Sequence, residues 1–281
     1  MQPTASPFER EAIDYDEVFT QGSIGSTMRA AVWRRLDVCF NPGSYILELG
    51  CGTGEDAVHL AKRGVFVVAT DPTASMLRIA QSKVDAAKLA DQIQLRQLEW
   101  EDLATDKPLG QAIAGHATPE PAAQSDDAGA LFDGALSNFG ALNCVADLAA
   151  ASRGLASTLR PGAVAVLCVM GPLVPWEWLW LLSHGQPRSA LRRLSPRGAM
   201  WRGLRVRYPS IRTLRRAFAP DFRLRRVAAV GALVPPSYAE TWAVRHPNLL
   251  RRLDLWERRA ETWFPLPWLA DHYLAELVRL G

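Results

Sequence analysis

The chain has few of the residues that would define a disulfide scaffold, a metal site or a membrane span. It contains four cysteines among 281 residues, with no C-x-x-C spacing and no histidine cluster. Neither a zinc site nor a disulfide framework is expected from this pattern. The longest apolar run, around residues 173–182, is interrupted by Pro175 and Glu177. It is too short for the roughly 20 residues that a bilayer-spanning helix needs.

The N-terminal stretch MQPTASPFEREAIDYDE is acidic and has no apolar segment, so no signal peptide is expected. A cytoplasmic location is therefore the prediction. With 48% apolar and 22% charged residues, the composition is typical of a globular protein. It excludes a collagen-like chain, a coiled coil and intrinsic disorder.

Net charge is also small, at +3, but this value hides an asymmetry along the chain. Residues 1–149 carry a net charge of −10, and residues 150–281 carry +13. The four lysines all lie in the acidic half, so the basic half owes its charge to arginine. Such an asymmetry indicates an anionic partner or an arginine-rich solvated face, and the charge alone leaves both open.

Short apolar runs alternate with segments of helical periodicity. Runs such as YILEL, VFVVAT and IQLRQL are each separated from the next by a predicted helix. Near-continuous apolar runs are typical of parallel strands covered on both faces. The alternation predicts an α/β fold with a parallel sheet built from right-handed βαβ units.

A glycine-rich loop, GCGTG at residues 50–54, comes after the first predicted strand and precedes a helix. Glycine lets the backbone approach a ligand closely, and a helix start offers free N–H groups. The spacing differs from the G-x-G-x-x-G of dinucleotide sites, so an NAD-dependent oxidoreductase is a poor alternative. Asp71 ends the second predicted strand, where a carboxylate can accept both hydroxyls of a ribose.

The stretches ILELGCGTGEDAVHLAKRG and VVATDPTASML closely resemble the first two motifs of class I S-adenosylmethionine-dependent methyltransferases. The best likeness is to the small-molecule enzymes of the ubiquinone–menaquinone type. EWEDL at 99–103 is similar to the family's third motif, with Glu and Trp in place of the usual Asp and Ala. FDGALSNFGALNCV is similar to the segment that closes over the methionine moiety. The resemblance covers roughly residues 10–171.

This resemblance implies a three-layer Rossmann-like sheet of seven strands, mostly parallel, with an antiparallel last strand and added helical lid elements. It implies S-adenosylmethionine as cofactor, with Asp71 binding its ribose hydroxyls and Glu99 contacting its adenine amino group. Arg29 is expected either at the methionine carboxylate or at the surface. The full set of implied cofactor-binding residues is Arg29, Glu48, Gly50, Cys51, Gly52, Thr53, Gly54, Asp71, Pro72, Met76, Glu99, Trp100, Ser137, Asn138, Phe139 and Leu142.

We predict one domain over residues 1–281. Its parts are N-terminal lid helices at 9–40, a cofactor-binding core at 45–170 with a flexible insertion at 104–129, a substrate-lid insertion at 171–210, and C-terminal helices and strands at 211–281. A helix break is expected at Gly22–Gly25. The segment DHYLAELVRL near the C-terminus could be a helix by itself, and the resemblance favours the antiparallel last strand.

The residues at the end of a further predicted strand, ALFDGALS, narrow the class of methyl acceptor. SNFG stands where methyltransferases of nucleobase amines carry D/N-P-P-Y/F. The chain also lacks the catalytic cysteine pair expected for methylation of a pyrimidine carbon. The run VPWEWLWLLSHGQPRSALRRL is expected to form an apolar roof with a basic rim. We therefore predict methyl transfer, by in-line displacement, to O or N of a small apolar or aromatic acceptor. Candidate catalytic residues are Glu177, His184 and Tyr15.

Thirteen arginines between residues 188 and 226 leave other interpretations open. The Trp- and Arg-rich region 172–226 could contact a membrane surface peripherally. Alternatively, the chain could methylate RNA, or bind RNA or a membrane with a vestigial cofactor fold. Nucleic acid is the less favoured partner, because the D/N-P-P-Y/F motif of methyltransferases that act on nucleobase amines is missing.

Overall fold

The computed structural model describes residues 8–9, 15–16, 20–104 and 132–281. Residues 105–129 of the predicted insertion lie outside the described residues, as does most of the stretch before residue 20. The fold within the described residues is an α/β fold around one large sheet, as the sequence predicts.

The strands of this described part alternate with helices along most of the chain. They are β1 Tyr45–Leu49, β2 Phe66–Asp71, β3 Ile93–Gln97, β4 Phe132–Ser137, β5 Leu159–Met170, β6 Ala199–Trp201, β7 Leu204–Val206, β8 Phe222–Val230 and β9 His272–Arg279. The helices are α1 Ser23–Cys39, α2 Glu55–Ala61, α3 Ala74–Ala87, α4 Leu148–Thr158, α5 Pro175–Ser183, α6 Pro187–Ala190, α7 Ile211–Phe218, α8 Glu240–Arg245 and α9 Pro247–Ala260.

Seven of these strands form one sheet in the order β3-β2-β1-β4-β5-β9-β8. The pairs from β3 to β5 are parallel, and β9 runs antiparallel to both β5 and β8. The C-terminal segment is thus the antiparallel strand that the resemblance favours, and not a helix. The order of strands along the sheet reverses between β1 and β4, and ligands of open α/β sheets bind outside the carboxyl ends of strands at such a point.

Both faces of the sheet are covered, which explains the apolar strands. Tyr45, Leu47 and Leu49 alternate along β1 and pack on the face covered by α4 and α7. Ile46 points to the opposite face, where α1, α2 and α3 pack. Ile211, Leu214 and Phe218 of α7 are buried, as its helical spacing predicts.

The helix α1 is tied to the C-terminal part of the chain. Its first two backbone amides, at Ser23 and Ile24, donate to the carboxylate of Glu240 at 2.6 and 3.1 Å. A carboxylate at a helix N-terminus pairs with free N–H groups and with the helix dipole. The helix runs on through Gly25, so the predicted break is shorter than expected and ends at Gly22.

The segment 171–210 contains two short helices, α5 and α6, and a two-stranded hairpin, β6–β7. Buried Asn143 holds the C-terminal end of this segment in place. The Asn143 side-chain amide donates to the carbonyls of Met170 and Arg207, and its backbone carbonyl accepts from the Arg207 backbone amide. The hairpin is therefore held against the carboxyl end of β5.

Candidate functional site

A cleft of about 1120 Å³ lies at the carboxyl ends of β1, β2 and β4, where the sheet order predicts a ligand site. Its floor is formed by the glycine loop after β1 and by Asp71 at the end of β2. Its opposite side is formed by the hairpin β6–β7.

The three loop glycines have positive φ values, 76° at Gly50, 54° at Gly52 and 80° at Gly54. Side chains at Gly50 and Gly54 would collide with Ala141 and Ala80, because a Cβ there would lie 2.3 and 2.9 Å from their Cβ atoms. A Cβ at Gly52 would meet nothing within 4 Å and would point into open space. Gly50 and Gly54 thus allow close packing, whereas Gly52 keeps the cleft free.

Asp71 is held by backbone amides on both sides of its carboxylate. Gly52 N–H donates to Oδ2 and Thr73 N–H donates to Oδ1, each at 2.9 Å. Burial raises the pKa of Asp71, and the two amides oppose that rise. These bonds fix the carboxylate facing the cleft, and each oxygen keeps a lone pair for a ligand hydroxyl.

Asp56, in the first turn of α2, joins three elements beside this loop and is not among the predicted site residues. Its Oδ1 accepts from Arg29 at 2.8 Å and from Trp33 at 2.7 Å, and its Oδ2 accepts from Asn138 at 2.8 Å. The Arg29 guanidinium also lies over the Phe139 ring, 5.0 Å from the centroid. The sequence feature that identifies Asp56 is an acidic residue in the first helical turn after a glycine loop.

The structure places most of the predicted cofactor-binding residues on the cleft wall. These are Arg29, Gly50, Cys51, Gly52, Thr53, Asp71, Pro72, Met76, Glu99, Trp100, Asn138 and Phe139, together with the candidate catalytic residue Tyr15. Burial raises the pKa of Tyr15, so its phenol stays neutral near pH 7.

Four predicted residues lie behind that wall. The Ser137 hydroxyl donates to the Leu49 carbonyl at 2.9 Å, and Gly54 and Leu142 support the loop and the segment after β4. The Glu48 side chain is buried beneath the loop, and its Oε2 has no hydrogen-bond partner among the described residues. Burial and the nearby Asp56 raise the pKa of Glu48 well above its usual range.

Two of the candidate catalytic residues do not reach the cleft. Glu177 is fully buried and forms ion pairs with Arg192 at 3.0 Å and Arg193 at 2.6 Å. His184 is exposed at the C-terminal end of α5, with Nδ1 2.7 Å from the Trp180 carbonyl. The prediction for both is corrected, since one is a buried ion-pair partner and the other is a surface residue at a helix end.

The roof over the cleft also differs from the expectation. The hairpin lines it with Ala199–Trp201, Leu204 and Val206, whereas none of α5 does. Trp201 contacts Phe8 with 5.3 Å between ring centroids. In α5, by contrast, Trp176 packs inward and donates to the Leu233 carbonyl at 2.9 Å. The predicted lid range thus includes the roof, but its Trp-rich helix is not the roof.

A smaller side cavity of about 250 Å³ adjoins the cleft. The two share Tyr15, Phe139, Met170 and Arg192. The remaining residues of the side cavity come from the lid segment, the loop after β8 and the start of β9. They are Arg193, Pro236, Ser237, Tyr238, Asp271 and His272.

Comparison with known proteins agrees with this geometry. Residues 46–124 match a family profile described as a methyltransferase domain. A demethylmenaquinone methyltransferase of Mycobacterium marinum is 32% identical over 167 residues, which cover 58% of each chain. The chain thus spans less than two-thirds of the curated relatives it matches.

Solved structures with this fold cover almost the whole chain. A putative methyltransferase of Haloferax volcanii, solved with the Trm112 activator, aligns over 99% of this chain and all of its own, with 14% identity and a TM-score of 0.58. The chain has the class I methyltransferase fold. A geranyl diphosphate methyltransferase solved with S-adenosylmethionine aligns over 99% of this chain and 93% of its own, with 14% identity and a TM-score of 0.53.

The cleft fits S-adenosylmethionine, the molecule with which the geranyl diphosphate methyltransferase was solved. Open space over Gly52 leaves room beside the buried carboxylate of Asp71, which suits a ribose. Within the described residues, no helix is both long and apolar enough to cross a membrane.

Proposed function

We propose that this chain transfers a methyl group from S-adenosylmethionine to a small apolar or aromatic acceptor, at an O or N atom. The observation that carries the proposal is the fixed Asp71 carboxylate beside the open face of Gly52. The family profile and the methyltransferase relatives support the same reaction class.

The bound cofactor would supply an electrophilic methyl group on a sulfonium. Asp71 would hold the ribose hydroxyls, and Met76 with Trp100 would pack beside the base, with Glu99 near its amino group. Arg29 is already paired with Asp56, so both would position the methionine end through Asn138 and Phe139. The enzyme's contribution is then alignment and exclusion of water, which can supply about 7–11 kcal/mol.

The acceptor class is supported by the apolar part of the cleft. Met170, Met200 and Trp201 line it away from the glycine loop, and the hairpin covers it. The demethylmenaquinone methyltransferases that match the chain act on a small molecule, as their name states.

We also propose a peripheral membrane contact through the lid segment. Leu179, Leu182 and Leu191 are exposed there, at 66%, 56% and 58%. The exposed Arg188 and Arg197 lie in the same segment. Leucines beside arginines suit the surface of an anionic bilayer, where a lipophilic acceptor would be found.

A labelling experiment separates methyl transfer to a small molecule from its alternatives. The chain is incubated with S-[methyl-14C]adenosylmethionine and either a lipid-soluble bacterial extract or bacterial RNA. Label in the organic phase supports the proposal, and label in RNA supports an RNA methyltransferase. No label in either fraction, together with no binding of S-adenosylhomocysteine in calorimetry, contradicts the enzyme and favours a vestigial fold.

A further inference from the structure

We propose that the helix α9 and the turn after it form a docking surface for an anionic lipid bilayer. The docking surface consists of the exposed side chains Leu249, Trp256, Trp263, Phe264 and Trp268 and of the arginines beside them. It lies outside the lid segment, for which a membrane contact is proposed above. Neither the cleft nor the side cavity is lined by residues of this surface, so docking here is independent of the proposed methyl transfer.

Large apolar side chains are exposed along α9 and after its end. Leu249 is 41% exposed and Trp256 is 56% exposed, and Trp263 and Phe264 reach 66% and 79%. Exposed apolar patches mark sites where a protein contacts a membrane or another protein. An aromatic ring gains free energy when it leaves water, and an indole keeps its N–H for the polar headgroup layer of a bilayer.

Two lines of side chains run along the exposed side of α9. Leu249 and Trp256 are seven residues apart, about two helical turns, and therefore lie on one line along the helix. Arg252 and Arg259 have the same spacing and form the neighbouring line. The helix thus presents an apolar line beside a basic one, the pattern of helices that lie in the plane of a bilayer surface.

The acidic side chains of α9 are turned away from the docking surface. Asp254 and Glu257 are buried. The Glu257 carboxylate accepts from backbone amides of the loop after β8, among them the Leu233 amide at 2.7 Å. Glu261, just after the helix, is half-buried. Among residues 241–268, all of which the structure describes, none of the exposed side chains is acidic.

The exposed positive charge of the same stretch comes from arginine. The exposed arginines are Arg245, Arg251, Arg252, Arg258 and Arg259. Arg258 pairs with Asp254 at 2.6 Å, so its charge is partly offset. The negative surface potential of an anionic leaflet attracts such a group of cations. Charge complementarity therefore favours a bilayer that contains anionic lipid.

The turn after α9 presents its aromatic rings in a fixed arrangement. A backbone hydrogen bond of 2.8 Å to the Trp263 carbonyl closes the turn. The rings of Phe264 and Trp268 meet with 5.3 Å between centroids. The Ala229 backbone amide of β8 donates to the Glu261 carbonyl at 2.6 Å, which ties the turn to the sheet. Because the rings are already positioned, docking requires little ordering of the chain.

The helix α8, which precedes α9, packs against the lid helix α5. The rings of Trp176 in α5 and Trp242 in α8 lie 6.3 Å apart between centroids. Val244, two residues further along α8, is 64% exposed, and Leu179 of α5 is also exposed. Exposed apolar side chains therefore extend from α9 over α8 to the lid. Such a spread suits a bilayer, which contacts a broad surface at once.

Two other partners share part of this chemistry. Single-stranded RNA stacks on aromatic rings beside cations, but the aliphatic Leu249 and Val244 offer a base neither stacking nor a hydrogen bond. A second copy of the chain, in a two-fold interface, would bring this group of arginines close to the same group on its partner. The bilayer therefore fits both the aliphatic side chains and the positive charge.

Sedimentation of the full chain with sucrose-loaded vesicles measures docking. Vesicles of phosphatidylcholine are compared with vesicles that contain equal parts of phosphatidylcholine and phosphatidylglycerol. The double variant Trp263→Ser, Phe264→Ser, the aromatic variant, should partition into the anionic vesicles about tenfold more weakly or less, because neither ring can then leave water. Leu280→Ser is the apolar control, since Leu280 is exposed beyond the far end of β9, and it should bind like wild type.

A matched pair of double variants tests the charge. Arg251→Gln with Arg252→Gln removes two exposed charges from the docking surface, and Arg215→Gln with Arg216→Gln removes two exposed charges from α7, on the other face of the sheet. The first variant should bind the anionic vesicles about tenfold more weakly and phosphatidylcholine vesicles as wild type does. The second should match wild type at physiological ionic strength, because salt screens charges on the far face.

Absence of wild-type sedimentation with anionic vesicles would overturn the docking surface, as would wild-type binding by the aromatic variant. Binding lost only in Leu179→Ser with Leu182→Ser would assign the membrane contact to the lid alone and overturn it too. A wild type that binds transfer RNA or dimerises through α9, without binding vesicles, would assign the surface to another partner.

Every variant should bind S-adenosylhomocysteine like wild type, because all the substituted residues lie outside the cleft. Failure of wild type to bind it would count against the proposed function and would leave the vesicle result unchanged. If circular dichroism shows that the aromatic variant does not fold, the arginine pair on α9 decides, and its unchanged binding to anionic vesicles would overturn the docking surface.

Discussion

Two buried aspartates, Asp71 in the acidic half and Asp271 in the arginine-rich half, differ in what holds them. Asp71 accepts from the backbone amides of Gly52 and Thr73, and its pKa is raised by burial. Asp271 is paired with the Arg193 guanidinium, and its pKa is lowered despite burial. An aspartate held by amides is available to a ligand, whereas one paired with arginine is committed to the fold and to its neighbour His272.

The largest effect that this comparison predicts is on stability. Asp271→Asn removes one partner of a buried ion pair and leaves Arg193 short of a counter-charge, at a cost of about 3–5 kcal/mol. Urea denaturation at pH 7 measures this loss in the free energy of unfolding. Asp85→Asn, on the exposed side of α3, is the control and should change stability by less than about 0.5 kcal/mol.

The pH dependence of the free energy of unfolding tests whether the charge of Asp271 causes this loss of stability. Because the pKa of Asp271 is lowered in the folded state, its contribution is fully present above the pKa of an unfolded aspartate, about 3.9, and is lost as the pH falls below it. The difference between wild type and Asp271→Asn should therefore shrink in acid. An equal difference at pH 7 and pH 3 would contradict the ion-pair account.

Alanine substitutions at Gly52 and Gly43 test whether the space beside Asp71 holds a ligand. Both have positive φ, 54° and 85°, and a Cβ at either would meet nothing within 4 Å. Alanine should therefore cost each about 1 kcal/mol of backbone strain in denaturation. Only Gly52→Ala places a methyl group in the cleft, so we expect its affinity for S-adenosylhomocysteine to fall about tenfold, with Gly43→Ala unchanged. Equal affinities would show that the space over Gly52 is not the ligand's.

The smallest predicted effect is the pH dependence of cofactor binding. Since burial raises the pKa of Asp71, this carboxylate takes up its proton at a higher pH than an ordinary aspartate. A protonated carboxyl loses acceptor capacity for the ribose hydroxyls. Calorimetric affinity for S-adenosylhomocysteine should therefore begin to fall above the usual aspartate range as the pH is lowered. A constant affinity through that range would contradict the ribose role.

The two halves also differ in how far sequence reasoning reached. The partners of Asp71 lie 19 and 2 residues away, so two consecutive motifs of one strand–loop–helix–strand unit contain the whole arrangement. The strand–loop–helix alternation and the buried strands were predictable for the same reason. The final strand β9 was predicted only through the family resemblance, because DHYLAELVRL is also compatible with a helix.

The features that the sequence did not predict depend on contacts between residues that are far apart in the chain. Asp271 and Arg193 are 78 residues apart, and Asp56 and Asn138 are 82 apart. Glu177 looked like a catalytic acid among tryptophans, but arginines from the following turns neutralise it. The hairpin roof depends on Asn143, 64 residues before its backbone partner Arg207. No local pattern specifies such pairs.

The most direct test of the central claim is calorimetric titration of S-adenosylhomocysteine into wild type, Asp71→Ala and Asp85→Ala. Two hydrogen bonds from a ribose to a carboxylate are worth about 3 kcal/mol, so Asp71→Ala should bind about 100-fold more weakly. Asp85→Ala should bind like wild type. Equal binding by Asp71→Ala and wild type, or no binding by wild type, would contradict the assignment of the cleft.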